Sequence, residues 1–168
     1  MKKTSIQLLI TGGTLDKDYN TTSGELVFTE THMNQLLNEA NTSLKIDSKV
    51  LMLKDSLEMT LSDRETIYQA CLNTSRPQII ITHGTDTMSD TALYLQSKTG
   101  LTDKKIILTG AMRPFKLGNS DASFNVASAL MAVQLVSPGI YITMNGRIFA
   151  ANNVQKNRTI GQFESQLK

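Results

Sequence analysis

Cysteine chemistry has almost nothing to work with in this sequence. A single cysteine, Cys71, in 168 residues excludes an intrachain disulfide and any multi-cysteine zinc or iron–sulfur site. The two histidines, His32 and His83, have no third suitable partner and argue against a bound metal. Neither sign of charge dominates: 17 Lys and Arg stand against 15 Asp and Glu, a net +2 with no basic block. Nothing therefore marks a nucleic-acid footprint. No apolar run approaches the roughly 20 residues that span a bilayer. Residues 6–10, behind the basic start Met1-Lys2-Lys3, fall short of the roughly 7–15 apolar residues of a secretory leader. The expectation is a cytoplasmic protein that binds neither membrane nor nucleic acid. Three prolines and no low-complexity stretch leave no linker, so 1–168 reads as one domain. With 40% hydrophobic and 19% charged residues, the composition is that of a folded globular chain.

Five short apolar runs are present, at 6–10, 50–53, 79–81, 106–108 and 140–142. Several are isoleucine-rich and lack period-two alternation, as expected of strands buried on both faces. Between them, segments 34–40, 62–73, 87–98 and 120–136 carry helical spacing. Ser62 with Glu65 three residues on predicts a capping box for the second. In the fourth, Phe124, Ala127, Leu130 and Met131 predict the buried face, with Ser120 or Asp121 as cap. This alternation predicts an α/β fold, a three-layer α/β/α arrangement around a mainly parallel sheet. The tail 152–168 is polar with a weak apolar pattern, and its conformation stays open.

Ligands of an open parallel sheet bind outside the carboxyl ends of its strands. The predicted exits here are Thr11-Gly12-Gly13-Thr14, Lys54-Asp55-Ser56-Leu57-Glu58, Thr82-His83-Gly84-Thr85-Asp86-Thr87 and Thr109-Gly110-Ala111-Met112-Arg113-Pro114. Hydroxyls, small residues and backbone N–H groups gathered on one rim suit binding a small polar molecule or attacking an acyl carbon. Taken singly, most of these residues have plainer readings. Gly12-Gly13 is a tight turn, and Thr85 and Asp86 either cap the next helix or serve a site. His83 reads as structural at a strand end, His32 as a surface residue near a helix start, and Cys71 as core. The eight methionines read as gap fillers. The dinucleotide fingerprint, the phosphate loop and the Gly-x-Ser-x-Gly elbow are all absent. A hydroxyl nucleophile would therefore need an activator other than a Ser-His-Asp triad.

Three stretches in order, Thr11-Gly12-Gly13-Thr14, His83-Gly84-Thr85-Asp86-Thr87-Met88 and Gly110-Ala111-Met112-Arg113-Pro114, resemble the motifs of bacterial-type L-asparaginases. Asn153-Val154-Gln155-Lys156-Asn157 is similar to the segment bearing that family's catalytic lysine. The likeness runs from about 3 to about 158 and corresponds to the N-terminal domain of the usual two-domain enzymes, so it is nearest to short, single-domain asparaginase-like proteins. It implies a flavodoxin-like fold and hydrolysis of L-asparagine, with glutaminase or broad ω-amidase activity as the alternative. A non-catalytic amino-acid-binding domain is a further alternative. No cofactor is implied, and the family's assembly implies a homo-oligomer, a dimer or tetramer. By the same resemblance Thr14 is the nucleophile, Tyr19 on a flexible lid at 15–25 orients it, and Thr85, Asp86 and Lys156 form a linked triad. Ser56 would hold the substrate α-carboxylate, Gly84 would lend its N–H to the oxyanion, and the carbonyl of Ala111 would receive the leaving amide nitrogen. Leu57 stands where many relatives carry a polar residue, and Glu58 either supplies a carboxylate for the substrate ammonium or points outward.

Overall fold

A computed structural model describes residues 5–166. In chain order, β1 (Ser5–Gly12) leads through a single 3-10 turn (Thr14–Asp16) into a hairpin of β2 (Lys17–Tyr19) and β3 (Leu26–Phe28). Then follow α1 (Met33–Glu39), β4 (Lys45–Lys54), a 3-10 turn (Ser56–Glu58), α2 (Leu61–Asn73), β5 (Gln78–Thr82) and α3 (Met88–Gln96). The chain goes on through β6 (Lys105–Thr109), a third 3-10 turn (Phe115–Leu117), α4 (Ala122–Leu135), β7 (Gly139–Met144), β8 (Arg147–Ala150), β9 (Gln155–Asn157) and β10 (Gln162–Glu164). The main sheet has the order β4-β1-β5-β6-β7-β8. Its first five strands are parallel and β8 runs antiparallel on the far edge. The first five thus follow the flavodoxin-like order 2-1-3-4-5, whose switch point lies beside β1.

The uninterrupted apolar runs are explained by burial on both faces. Ile6, Leu8, Ile10, Ile80 and Ile107 pack with α1 and α4, while Leu9, Ile79, Ile81, Ile106, Leu108 and Ile142 pack with α2 and α3. Each such side chain contributes about 1.5–3 kcal/mol by leaving water. The result is the expected α/β/α layering. Among the described residues no helix is long and apolar enough to cross a membrane.

Several local expectations are corrected. The cap of α2 is Thr60, not Ser62, and Asp63 completes the capping box. Both pairs fit the pattern; Glu65 meets Gln69, Tyr94 and Lys98 instead, while Asp63 accepts from Thr60 and from Lys54. In α4 the buried face is Ala122, Asn125, Val126, Ala129, Leu130, Ala132 and Val133, while Phe124, Ala127 and Met131 face outward. No residue of α4 is charged, so its sequence carries no marked polar side to set its phase. Asp121 stands at the start of α4 but does not cap it with its side chain. His32 does stand at a helix start, yet it is buried under the base of the β2–β3 hairpin. The segment expected as a polar flexible loop is that ordered hairpin, and its base is tied by Asp16, which accepts from Thr31 Oγ1 (3.0 Å) and His32 N (2.8 Å). The tail forms the antiparallel pair β9–β10, with Val154 and Phe163 in the core.

Candidate active site

The exits of β1, β4 and β5 meet backbone to backbone at the switch point. Gly13 has φ 77° and ψ −179°, a conformation that L side chains avoid. A Cβ on it would lie 2.4 Å from Gly84 N, and one on Gly84 would lie 2.6 Å from Ser56 Oγ. Glycine is required at both positions because no side chain fits between the strands. This closeness sets Gly13-Thr14, Ser56 and Gly84-Thr85 side by side.

Half-buried Thr14 opens the 3-10 turn, and its hydroxyl makes no hydrogen bond to any described residue. Ser56 Oγ is buried and also has no partner among the described residues. Its own carbonyl accepts the hydroxyl of Thr87 at 2.8 Å, which ties the β4 exit to the β5 exit.

Lys156 projects from β9 and donates to Thr85 Oγ1 at 2.8 Å and to Asp86 Oδ1 at 2.8 Å. Its side chain is only 12% exposed, so solvent screens this pair little. Arg158 donates to the same Asp86 Oδ1 at 2.7 Å and to the Asp86 carbonyl at 3.4 Å. Sequence reasoning missed Arg158, which lies in the turn just after β9. It also missed the ion pair of Lys17 with Asp55, which joins the hairpin to the loop carrying Ser56. Lys17 is the main reason that the Asp55 carboxyl titrates below its ordinary range, with help from Leu57 N–H and the charge of Lys156.

Ala111 is fully buried in the loop after β6. That loop is held by Asp121, whose carboxylate accepts from Met112 N and Arg113 N at 2.9–3.1 Å, and by Asn125 Nδ2 donating to Gly110 O at 3.0 Å. His83 forms the floor of the site as a structural residue. Its Nδ1–H donates to Gly84 O at 2.7 Å and its Nε2 accepts from Thr91 Oγ1 at 2.7 Å. Burial lowers its pKa to about 4, so it is neutral. Cys71 is a core residue whose thiol is pushed up to about 12 by burial.

Of the residues singled out from sequence, Thr85, Asp86 and Lys156 are joined by direct hydrogen bonds, with Ser56 and Gly84 in contact beside them. Tyr19 lies on the hairpin, half-exposed, with its hydroxyl toward Gly24 and no hydrogen bond to any of these groups among the described residues. Leu57 and Glu58 are exposed.

The family described as "Asparaginase, N-terminal" matches residues 5–166. The chain belongs to the asparaginase family. It is 32% identical over 121 residues to a glutaminase-asparaginase of Acinetobacter glutaminasificans, covering 70% of this chain and 35% of that protein. It is 33% identical over 150 residues to a glutamyl-tRNA(Gln) amidotransferase polypeptide of Methanococcus vannielii, covering 86% of this chain and 35% of that one. The solved thermostable L-asparaginase of Thermococcus kodakarensis superposes with a TM-score of 0.81 at 28% identity, over 96% of this chain and 51% of that enzyme. The chain thus spans about a third of the curated relatives and half of the solved asparaginase.

Proposed function

We propose that this chain carries the catalytic groups of an amidohydrolase that converts L-asparagine to L-aspartate and ammonia, through a threonine nucleophile and an acyl-enzyme. The observation that carries the reading is Lys156, held at once by Thr85 Oγ1 and Asp86 Oδ1 at the switch-point crevice. Thr14 Oγ1 attacks the side-chain amide carbon while its proton passes, by way of the Tyr19 hydroxyl, to the amide nitrogen that leaves as ammonia. The oxyanion forms against backbone N–H groups near Thr14 and Gly84–Thr85, a contribution typically of about 3 kcal/mol. Ammonia leaves beside the Ala111 carbonyl, and water then hydrolyses the ester. Because Thr85 Oγ1 accepts from Lys156, its own proton is free to be donated toward the crevice, so the three groups pass protons as a network. The unpartnered hydroxyl of Ser56 receives the substrate α-carboxylate. Tyr19 acts from the hairpin by orienting the Thr14 hydroxyl.

Glutamine is the second substrate of interest, since one relative is named a glutaminase-asparaginase. Glu58, exposed beside Ser56, is a carboxylate within this loop that could meet the substrate ammonium, with Leu57 beside it. The expected assembly is a homo-oligomer, supported by the outward apolar face of α4, where Phe124, Met131 and Leu135 are exposed. The test of the proton network is steady-state kinetics of Lys156→Met and Thr85→Val. Each is expected to lower kcat by roughly 100- to 10,000-fold with little change in KM. Wild-type kcat in either variant would remove that residue from the reaction.

A further inference from the structure

The turn between β7 and β8 consists of Asn145 and Gly146, with φ of 55° and 73°. Positive φ at both central residues is what a type I′ two-residue hairpin needs. Glycine would serve equally well at the first position, so the turn itself does not require the asparagine's side chain. That side chain reaches out of the hairpin instead. Its Oδ1 accepts the backbone N–H of Phe163 at 2.9 Å. Phe163 stands opposite Lys156 in the β9–β10 register. A two-stranded pair is marginal by itself, and this one is held to the domain by the buried side chains of Val154 and Phe163. Apolar packing is non-directional, whereas a hydrogen bond to the β10 backbone fixes orientation.

The other end of the asparagine is equally tied. Asn145 N–H donates to Asn125 Oδ1 at 3.2 Å. Asn125 is buried, and its Nδ2 donates to Gly110 O at 3.0 Å and to Asp121 Oδ2 at 2.9 Å. A chain of directional contacts therefore runs from the β6 exit, next to Ala111, through Asn125 and Asn145 to the strand opposite Lys156.

We infer that Asn145 is a positioning residue whose side-chain amide orients the β9–β10 pair so that Lys156 reaches Thr85 and Asp86. The inference rests on the reading of Lys156 as part of the proton network. Asn145→Gly keeps the turn and deletes the acceptor, while Asn145→Asp tolerates the same left-handed backbone and keeps an acceptor oxygen. Kinetics and amide hydrogen exchange of both variants, in the full chain, test it. The expected result for Asn145→Gly is a kcat lower by roughly 10- to 100-fold with KM within about twofold, as for a displaced catalytic group. The Phe163 amide should exchange faster, while the amides of β6 stay protected. Asn145→Asp should restore both kcat and exchange. An Asn145→Gly variant with wild-type kcat, or with wild-type exchange at Phe163, overturns the inference, as does failure of Asn145→Asp to rescue. If the wild-type chain releases no ammonia, the catalytic reading falls, and the exchange comparison alone decides whether Asn145 holds the strand.

Discussion

His83 lies in the floor of the crevice with both ring nitrogens hydrogen-bonded and no room for solvent. Its pKa is about 4 in the folded chain and near 6.5 when unfolded. Between those values the unfolded chain takes up a proton that the folded chain refuses. The stability linked to His83 is therefore complete above about pH 6.5 and is lost as pH falls toward 4, by up to about 3 kcal/mol. Urea unfolding of wild type and His83→Gln at pH 7 and pH 5 should show a steeper loss in wild type; equal slopes would contradict this origin. Gly84 makes a second residue-scale case. A methyl group there would sit 2.6 Å from Ser56 Oγ. Gly84→Ala is expected to destabilise by about 1–3 kcal/mol through overpacking and to raise KM for the amide substrate more than it lowers kcat. A wild-type KM would show that Ser56 does not hold the substrate. The meeting of Thr85, Asp86 and Lys156 was legible through the family resemblance of their motifs, whereas Lys156 by itself reads as a lysine of a polar tail. Arg158 and the Lys17–Asp55 pair were not, since they lie outside the motifs that carry the resemblance and no local pattern encodes meetings 72 and 38 residues apart.

Elements show where pattern succeeds and where it stops. The isoleucine runs specified parallel strands because two-sided burial leaves no alternation to read. The phase of α4 was not legible, for a helix without charge offers no contrast between its sides. Of the two competing capping signals at α2, the fold uses Thr60 with Asp63, whose carboxylate also pairs with Lys54. Thr60→Ala should cost about 1 kcal/mol, measured by thermal or urea unfolding, whereas Ser62→Ala should cost almost nothing. The β2–β3 hairpin is the element on which the proposed role of Tyr19 rests. Its tip is ordered by Asn20 Oδ1, which accepts from Thr22 N and Ser23 N, and Tyr19 stands at its last β2 position. Tyr19→Phe should reduce kcat more than Ser23→Ala does, because the proposed mechanism gives the tyrosine hydroxyl, and not the serine, the task of orienting Thr14. Equal kinetics of the two variants would take Tyr19 out of the mechanism.

At the scale of the molecule, one topological fact organises the rest. With β1 between β4 and β5, the crossovers through α1 and α2 lie on opposite faces, and three strand exits meet at one rim of the sheet. The fourth exit adds Ala111, and β9 brings Lys156 in from the far end of the chain. A sequence read in order gives the loops but not the return of the tail, which depends on burying Val154 and Phe163 against the sheet layer. The decisive measurement is ammonia release from L-asparagine and L-glutamine by the purified full chain beside its Thr14→Ala variant. Release from L-asparagine that disappears with Thr14 is the expected result. Release that survives in Thr14→Ala, or none from either amide by a folded wild-type sample, would contradict the assignment of this crevice as a threonine amidohydrolase site.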